Sequence, residues 1–342
     1  MLFMNTLPII IPSLATLGYF LLIICIRFLD VFEREPYKVI FTNFIFGILG
    51  YMIAALIYSP LISLFNLSNF DLPNLKLLIY FSVILSSLIL LIFQIITALI
   101  SRNIFKKEFD TAPDYIIYFA TIGIGFNFAE MFLYHFLSRT NINFLSEFSN
   151  NLFFSSFFTG GTLPFLMAGI GMAFYLNQLS KSKKNLILKR ISNYIILIAI
   201  LFQIIFYTGS YFLMISNSPH SLTSSNIFLA NAIKDFANSI SQLFLLISLG
   251  LAVIFDGYII SNFVLDLIKS SNFSEKKIKD LSSFNNPFSY IINKNFREVL
   301  GLKPVSNNLQ KKYKSFAKLA LKSFNDNKNK SIYISEALSL FD

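Results

Sequence analysis

Long apolar stretches alternate with short polar loops along this chain of 342 residues. A helix that crosses a bilayer needs roughly 20 predominantly apolar residues, and seven stretches reach that length. They lie at about 7–27, 39–64, 75–100, 115–137, 151–178, 191–215 and 229–256. The pattern predicts an all-α fold, a polytopic membrane helix bundle of about seven transmembrane helices.

The first and last stretches need separate interpretation. No positive segment precedes the first and no small-residue cleavage site follows it, so we predict a retained helix and not a signal peptide. The last stretch stays apolar to about Ile268. We expect Asp256 at the cytoplasmic end of the seventh span, with 257–268 as an interfacial helix. The predicted domains are a membrane domain, 1–268, and a cytosolic tail, 269–342.

The orientation follows from the basic residues between the stretches. Lys and Arg cluster after the first, third and fifth stretches, whereas the other loops hold only Lys76 and Arg139. Because cytoplasmic loops carry the excess of Lys and Arg, this alternation predicts an N-terminus outside and a C-terminus inside. The clustered residues are Arg27, Arg34, Lys38, Arg102, Lys106, Lys107, Lys181, Lys183, Lys184, Lys189 and Arg190.

The composition supports a membrane protein and excludes several kinds of chemistry. The chain is 55% hydrophobic and 13% charged, against about 25% charged in soluble domains. Its net charge of +10 lies mostly in alternate loops and the tail, so nucleic-acid binding is not implied. A single cysteine, Cys25, excludes a disulfide framework and a multi-thiolate metal site. No cofactor or metal site is predicted.

Glu130 is the most informative residue, because an ionisable side chain inside an apolar helix is a functional-site hypothesis by default. It lies about 24 Å along the helix from Asp114, in the outer half of the hydrocarbon core. Glycines on its face would admit a neighbouring helix. A carboxylate desolvated in this way suits general acid or base catalysis. The residues predicted on the same stripe are Gly123, Phe126 and Tyr134.

The seventh stretch carries a second polar face that includes Asp235 and Asn238, with Lys234 alongside. Asp235 is expected at a depth similar to that of Glu130, so two carboxylates could share one pocket. A structural alternative stays open for both: Lys234 and Asp235 as an interface pair, and Glu130 as a hydrogen-bonding group between helices. In the third stretch, Gln94 is a supporting polar residue that could also serve packing.

Two segments resemble the PrsW family of intramembrane proteases. The first, Asp30 to Pro36, is similar to the family's D-R-Y-E-P-E-P turn between two helices, with Pro36 placed to open a helix. The second contains Gly125 and Phe126 followed by Glu130, and is similar to an F-x-x-x-E motif whose Glu belongs to the family's proposed catalytic set. The matching residues of the turn are Asp30, Glu33, Glu35 and Pro36.

The resemblance implies an intramembrane peptidase that acts on anti-sigma factors or lipoproteins. The family's E-E-x-x-K motif is absent, since the third stretch has Gln94 and Thr97 in about its place. Hydrolysis needs a second group to protonate the leaving amine, and Asp235 is the candidate. The alternatives are a catalytically inactive pseudoprotease that binds or scaffolds transmembrane helices, and a transporter.

The tail from Lys269 is basic and helical in pattern, and its stability alone would be marginal. It looks like a degenerate J-domain, which implies chaperone contact. However, Phe324-Asn325-Asp326 stands where that module has His-Pro-Asp. The alternative is a basic helical hairpin drawn to anionic inner-leaflet lipid.

Overall fold

The computed structural model describes residues 17, 18, 21, 23, 24, 27, 36–63, 73–138, 162–183, 185–216, 224–270 and 307–340. Eight α-helices and one 3-10 turn are defined among these residues, which contain no strand, so the all-α prediction is confirmed for them. The helices are α1 Tyr37–Ser63, α2 Pro73–Ile104, α3 Ala112–Ser138, α4 Thr162–Lys183, α5 Leu186–Ser216, α6 Ser224–Ser270, α7 Asn307–Asn325 and α8 Lys330–Ser339, with the 3-10 turn at Asn327–Asn329.

Four of these helices are long and apolar enough to cross a membrane. The segments are Tyr37–Ile57 in α1, Ser87–Ile104 in α2, Leu186–Phe206 in α5 and Gln242–Ser270 in α6. They indicate a membrane protein. The count of seven spans and the orientation stay predictions. The predicted span 7–27 and the 151–161 part of the fifth fall largely outside the described residues.

Local hydrogen bonds explain where several helices begin. The carbonyl of Pro36 accepts from the amides of Val39 and Ile40 at 2.9 and 3.2 Å, so α1 begins directly after the proline, as predicted. At the start of α5, the Asn185 side chain accepts from the amides of Ile187 and Leu188 and acts as an N-cap. These caps satisfy amides that have no partner within the first turn.

Contacts divide the chain into two units. The first takes in residues 1–23, 36–110 and 114–248, and the second takes in 24–35, 111–113 and 249–342. Within the first unit, α2 packs against α1 and α5, and α4 packs against α5. Within the second, α7 packs against α8. The predicted domain boundary at 268/269 stays a prediction.

The helix α6 is unusually long, since its 47 residues extend about 70 Å. It continues without a break through Asp256, which is 1% exposed, so 257–268 prolongs the helix instead of forming a separate one. Asp256 was expected to be solvated at a membrane boundary and to mark the end of the span there. It is buried instead, and the helix continues past it. The predicted extent of the last apolar segment, to about Ile268, agrees with the helix end at Ser270.

The end of α6 forms a hydrophobic core with the tail helices. Phe263 contacts Phe316 of α7, with ring centroids 5.3 Å apart, and Ala337 of α8 joins the same core. An ion pair of 2.6 Å between Lys330 and Asp266 adds a polar contact at the edge. The tail, too small to be stable alone, is therefore stabilised by α6. Other members of this core are Ile259, Ile260, Val264, Leu267, Tyr313, Ala317, Leu319, Ala320 and Leu321.

Removing the Phe316 ring is expected to release the tail helices from α6. Phe316 is fully buried, and a buried Phe→Ala change costs about 3–5 kcal/mol, which is comparable to the stability of so small a unit. Hydrogen exchange of residues 307–340 in Phe316→Ala should rise toward unprotected rates. The exposed Lys314→Ala is the control and should leave exchange unchanged; slow exchange in both variants would contradict the packing.

The turn between α7 and α8 is organised by Asp326. Its carboxylate accepts from the Lys328 amide at 3.2 Å, from Asn329 Nδ2 at 2.8 Å and from the Tyr333 hydroxyl at 3.5 Å. The hydrogen bond from Asn329 holds the pKa of Asp326 below its ordinary value. Asp326, the last residue of the tripeptide that was compared with His-Pro-Asp, thus has a structural role as a cap. Chaperone contact stays a prediction.

Candidate intramembrane site

The candidate site is built on α3, the most enclosed helix of the first unit. Every side chain from Asp114 to Asn127 is buried, whereas only 17% to 39% of the residues in the four apolar spans are buried. A helix enclosed on all sides packs against protein and not lipid, which explains how it accommodates polar residues. Glu130 follows this enclosed part and is half-buried.

Two glycines bring the backbones of α1 and α3 into direct contact. A Cβ added to Gly125 would lie 2.9 Å from the Cα of Gly47, and a Cβ added to Gly47 would lie 2.9 Å from the Cα of Gly125. No side chain fits at either position, so we call this pair the glycine crossing. Gly125 makes this close approach, and the approach expected on the stripe of Gly123 stays a prediction. Glu130 lies five residues farther along α3, which is about 7.5 Å along the helix axis and about 140° around it from Gly125.

Aromatic packing fixes the neighbouring turn of α3. Phe126 is fully buried, and its ring meets that of Tyr51 edge to face, with centroids 6.0 Å apart. A Cβ at Gly50 would lie 2.8 Å from the Phe126 ring, so the absent side chain of Gly50 provides the space for it. Phe126 therefore holds α3 against α1. It lies one helical turn before Glu130 and has a packing role.

A fourth glycine holds the other end of α3 against α4. A Cβ added to Gly171 would lie 2.8 Å from the carbonyl carbon of Tyr115. On the same level, Arg102 of α2 donates to the Tyr115 hydroxyl at 3.0 Å and to Gln178 of α4 at 2.8 Å. This network joins three helices. From the sequence, Arg102 was interpreted only as a basic residue of a cytoplasmic loop. Its two partners lie 13 and 76 residues away, so no local pattern reveals these bonds.

Gln94 of α2 is fully buried, and neither its amide oxygen nor its amide nitrogen has a hydrogen-bond partner. Gln203 of α5, a helix that packs against α2, has the same two properties. An unsatisfied buried polar group costs about 1–3 kcal/mol, so both amides are destabilising as they stand. Sequence reasoning found Gln94 but missed Gln203, whose only signal is one amide within an apolar run.

A buried hydrogen bond links α1 to α2. The Ser101 hydroxyl donates to Asn43 Oδ1, and both residues are fully buried. Ser101 and Thr97, which lies beside Gly50, place polar groups along one face of α2. Positions 94, 97 and 101 lie on one face of α2 and form a polar seam, in which Thr97 and Ser101 lie against α1.

Replacing Ser101 with alanine is expected to destabilise the first unit by about 1 kcal/mol, because Asn43 Oδ1 loses its donor. The measurement is the free energy of unfolding in mixed micelles of increasing SDS content. Thr42→Ala is the matched control, since the Thr42 hydroxyl bonds only the Lys38 carbonyl of its own helix. Equal destabilisation by the two changes would show that the interhelical bond contributes nothing specific.

Several predicted site residues fall wholly or partly outside the described residues. Asp30, Glu33 and Glu35 of the turn motif do so entirely. Asp235, Lys234 and Asn238 lie in α6, and Tyr134 lies in α3, but their side chains are not among those described. The shared pocket of Glu130 and Asp235 therefore stays a prediction. Among the described residues, no group of three or more His, Cys, Asp and Glu is placed to hold a metal ion.

The fold and the polar seam define a helical membrane protein in which the enclosed helix α3 carries the half-buried carboxylate of Glu130. Comparisons with protein-family models, curated proteins and solved structures found no match to this chain.

Proposed function

We propose that this protein is an intramembrane peptidase of the PrsW type, with seven spans, an outer N-terminus and an inner C-terminus, in a bacterial cytoplasmic membrane. Its substrates would be membrane-embedded proteins of the anti-sigma-factor or lipoprotein class. The observation that carries the proposal is the position of Glu130, half-buried just beyond the glycine crossing on the enclosed helix α3. The crossing holds the α3 backbone in place and so pre-organises the carboxylate.

In the proposed reaction, the Glu130 carboxylate takes a proton from water as the water oxygen bonds to the scissile carbonyl carbon. Asp235, in its protonated form, then donates a proton to the amide nitrogen as the C–N bond breaks. The products are a carboxyl and an amine terminus. This assignment needs Asp235 close to Glu130, on α6 at a similar depth.

Gln94 gives this proposal a substrate-binding element. A helical substrate offers no free backbone groups, whereas an unwound segment exposes an N–H and a C=O at each residue. The Gln94 amide has an NH₂ donor and a carbonyl acceptor, and neither has a hydrogen-bond partner. The two groups are complementary to the C=O and the N–H of an unwound peptide. Because Gln94 is fully buried, a substrate would reach it only by displacing a neighbouring helix, and binding there would then satisfy both groups.

A pseudoprotease that binds transmembrane helices is the second candidate, and the same residue favours it. Gln94 stands at about the place of the absent E-E-x-x-K motif, and an amide binds a peptide without transferring a proton. Such a protein would retain the binding surface and the glycine crossing while leaving the substrate intact.

One experiment separates the two candidates. The purified protein is reconstituted in liposomes with a library of tagged single-span proteins, and both cleavage and co-purification are scored. A peptidase yields shortened tagged fragments with new termini inside or beside the span. Stable co-purification of uncleaved proteins would instead support the pseudoprotease. A library that is neither cleaved nor retained would overturn both.

A further inference from the structure

The helix α7 has one basic face. Lys312, Lys314, Lys318 and Lys322 are exposed, while Tyr313, Phe316, Ala317 and Ala320 on the other face are buried. We call the four exposed residues the lysine face. The α7 sequence contains no Asp or Glu, so no acidic residue of the helix itself neutralises it. Strong segregation of basic and apolar faces is typical of helices that lie at a membrane surface.

The packing of α7 fixes where this face lies along α6. The buried side of α7 contacts α6 residues between Ile259 and Leu267. Those residues begin three positions after Asp256, or about 4 to 17 Å along the helix axis from it. The apolar segment Gln242–Ser270 is longer than the roughly 20 residues that cross the hydrocarbon core. A span of about 20 residues that begins at Gln242 ends near Ser261, which puts most of the docking site beyond the hydrocarbon core, near the level of the headgroups.

We infer that the lysine face binds the anionic phospholipid headgroups of the leaflet in which α6 ends. The ammonium groups are compact charges suited to phosphate, and at physiological ionic strength an anionic surface attracts them over about one Debye length, 8 Å. Each lysine held there strengthens membrane association about fivefold. Lipid is favoured over nucleic acid because α6 keeps the lysine face at the membrane whether or not a soluble partner is present.

The test uses the full chain in nanodiscs. In a Cys25→Ser background, Ser315→Cys places a fluorophore at an exposed position beside the lysine face. Quenching by headgroup-labelled lipid is compared between discs of phosphatidylcholine alone and discs that also contain phosphatidylglycerol. We expect stronger quenching in the anionic discs, and loss of the difference near 1 M salt, where the Debye length is about 3 Å.

Two variants show whether charge is responsible. Changing all four lysines to glutamine should remove most of the preference for anionic discs, about fivefold for each lysine. Changing all four to arginine keeps the charge and should keep the preference. Hydrogen exchange of residues 307–340, equal in both variants and the parent, confirms that α7 stays folded.

Two outcomes would overturn the inference. One is equal quenching in neutral and anionic discs; the other is a preference that survives in the glutamine variant. With a nucleic-acid partner, the protein in phosphatidylcholine discs would bind an RNA oligonucleotide. The glutamine variant would lose this binding, and the lipid composition would not affect it. That result would also replace the lipid assignment.

Discussion

Replacing Glu130 with glutamine is expected to lower the rate of substrate cleavage by about 10²- to 10⁴-fold, the contribution of a positioned general base. The amide has the volume of the carboxylate but cannot accept the proton of the attacking water. The measurement is the initial rate of fragment formation in liposomes with a substrate selected from the library. Asp235→Asn tests the proposed acid in the same assay and should cause a loss in the same range.

Glu336→Gln is the matched control, because Glu336 is an exposed carboxylate in the tail helix α8. It should cleave at the parental rate. Wild-type cleavage by Glu130→Gln would remove the catalytic assignment of this residue. Cleavage lost with Glu130→Gln but retained with Asp235→Asn would keep Glu130 as the base and require a different acid.

Replacing Gly125 with alanine is expected to destabilise the first unit by about 1–3 kcal/mol, the usual range for a side chain forced into a filled space. Its Cβ would lie 2.9 Å from the Gly47 Cα, a backbone atom that moves only if α1 and α3 separate. Leucine at the same position should prevent their packing altogether. Unfolding in mixed micelles gives the loss of stability, and the leucine variant should also lose cleavage.

Gly250 provides the matched control, since a Cβ built there meets nothing within 4 Å. Gly250→Ala should be neutral or stabilise the protein by up to about 1 kcal/mol, because alanine is the better helix former. The same sign and size of effect for the two alanine variants would show that the crossing is not a close backbone contact.

The sequence predicted the helices well because length and apolarity alone define a membrane helix. The predicted stretches 39–64, 75–100 and 115–137 agree with α1, α2 and α3 to within about four residues. The greatest difference is at the ends of α6, where Asp256 was expected to mark a boundary. Whether a carboxylate is solvated or buried depends on neighbours that are distant in sequence, so periodicity cannot reveal it.

The site was predictable only in part, for the same reason. Glu130 and Gln94 were found because each is a polar residue in an apolar run, a signal contained in one helix. The contact of Gly47 with Gly125 depends on how two helices cross, which the pattern of either helix alone does not reveal. The bond between Asn43 and Ser101 and the packing of Phe316 on Phe263 are likewise contacts between distant segments.

The enclosure of α3 has a consequence for the biogenesis of the protein. In the proposed topology α3 is a membrane span, and Asp114, Asn127 and Glu130 make it insert poorly by itself, because polar side chains are costly in hydrocarbon. Its partner α1 precedes it in synthesis. In that topology a newly made α3 enters a bilayer that already holds α1 and α2, and it exchanges contact with lipid for contact with protein. The order of the helices in the gene thus favours correct assembly of the site.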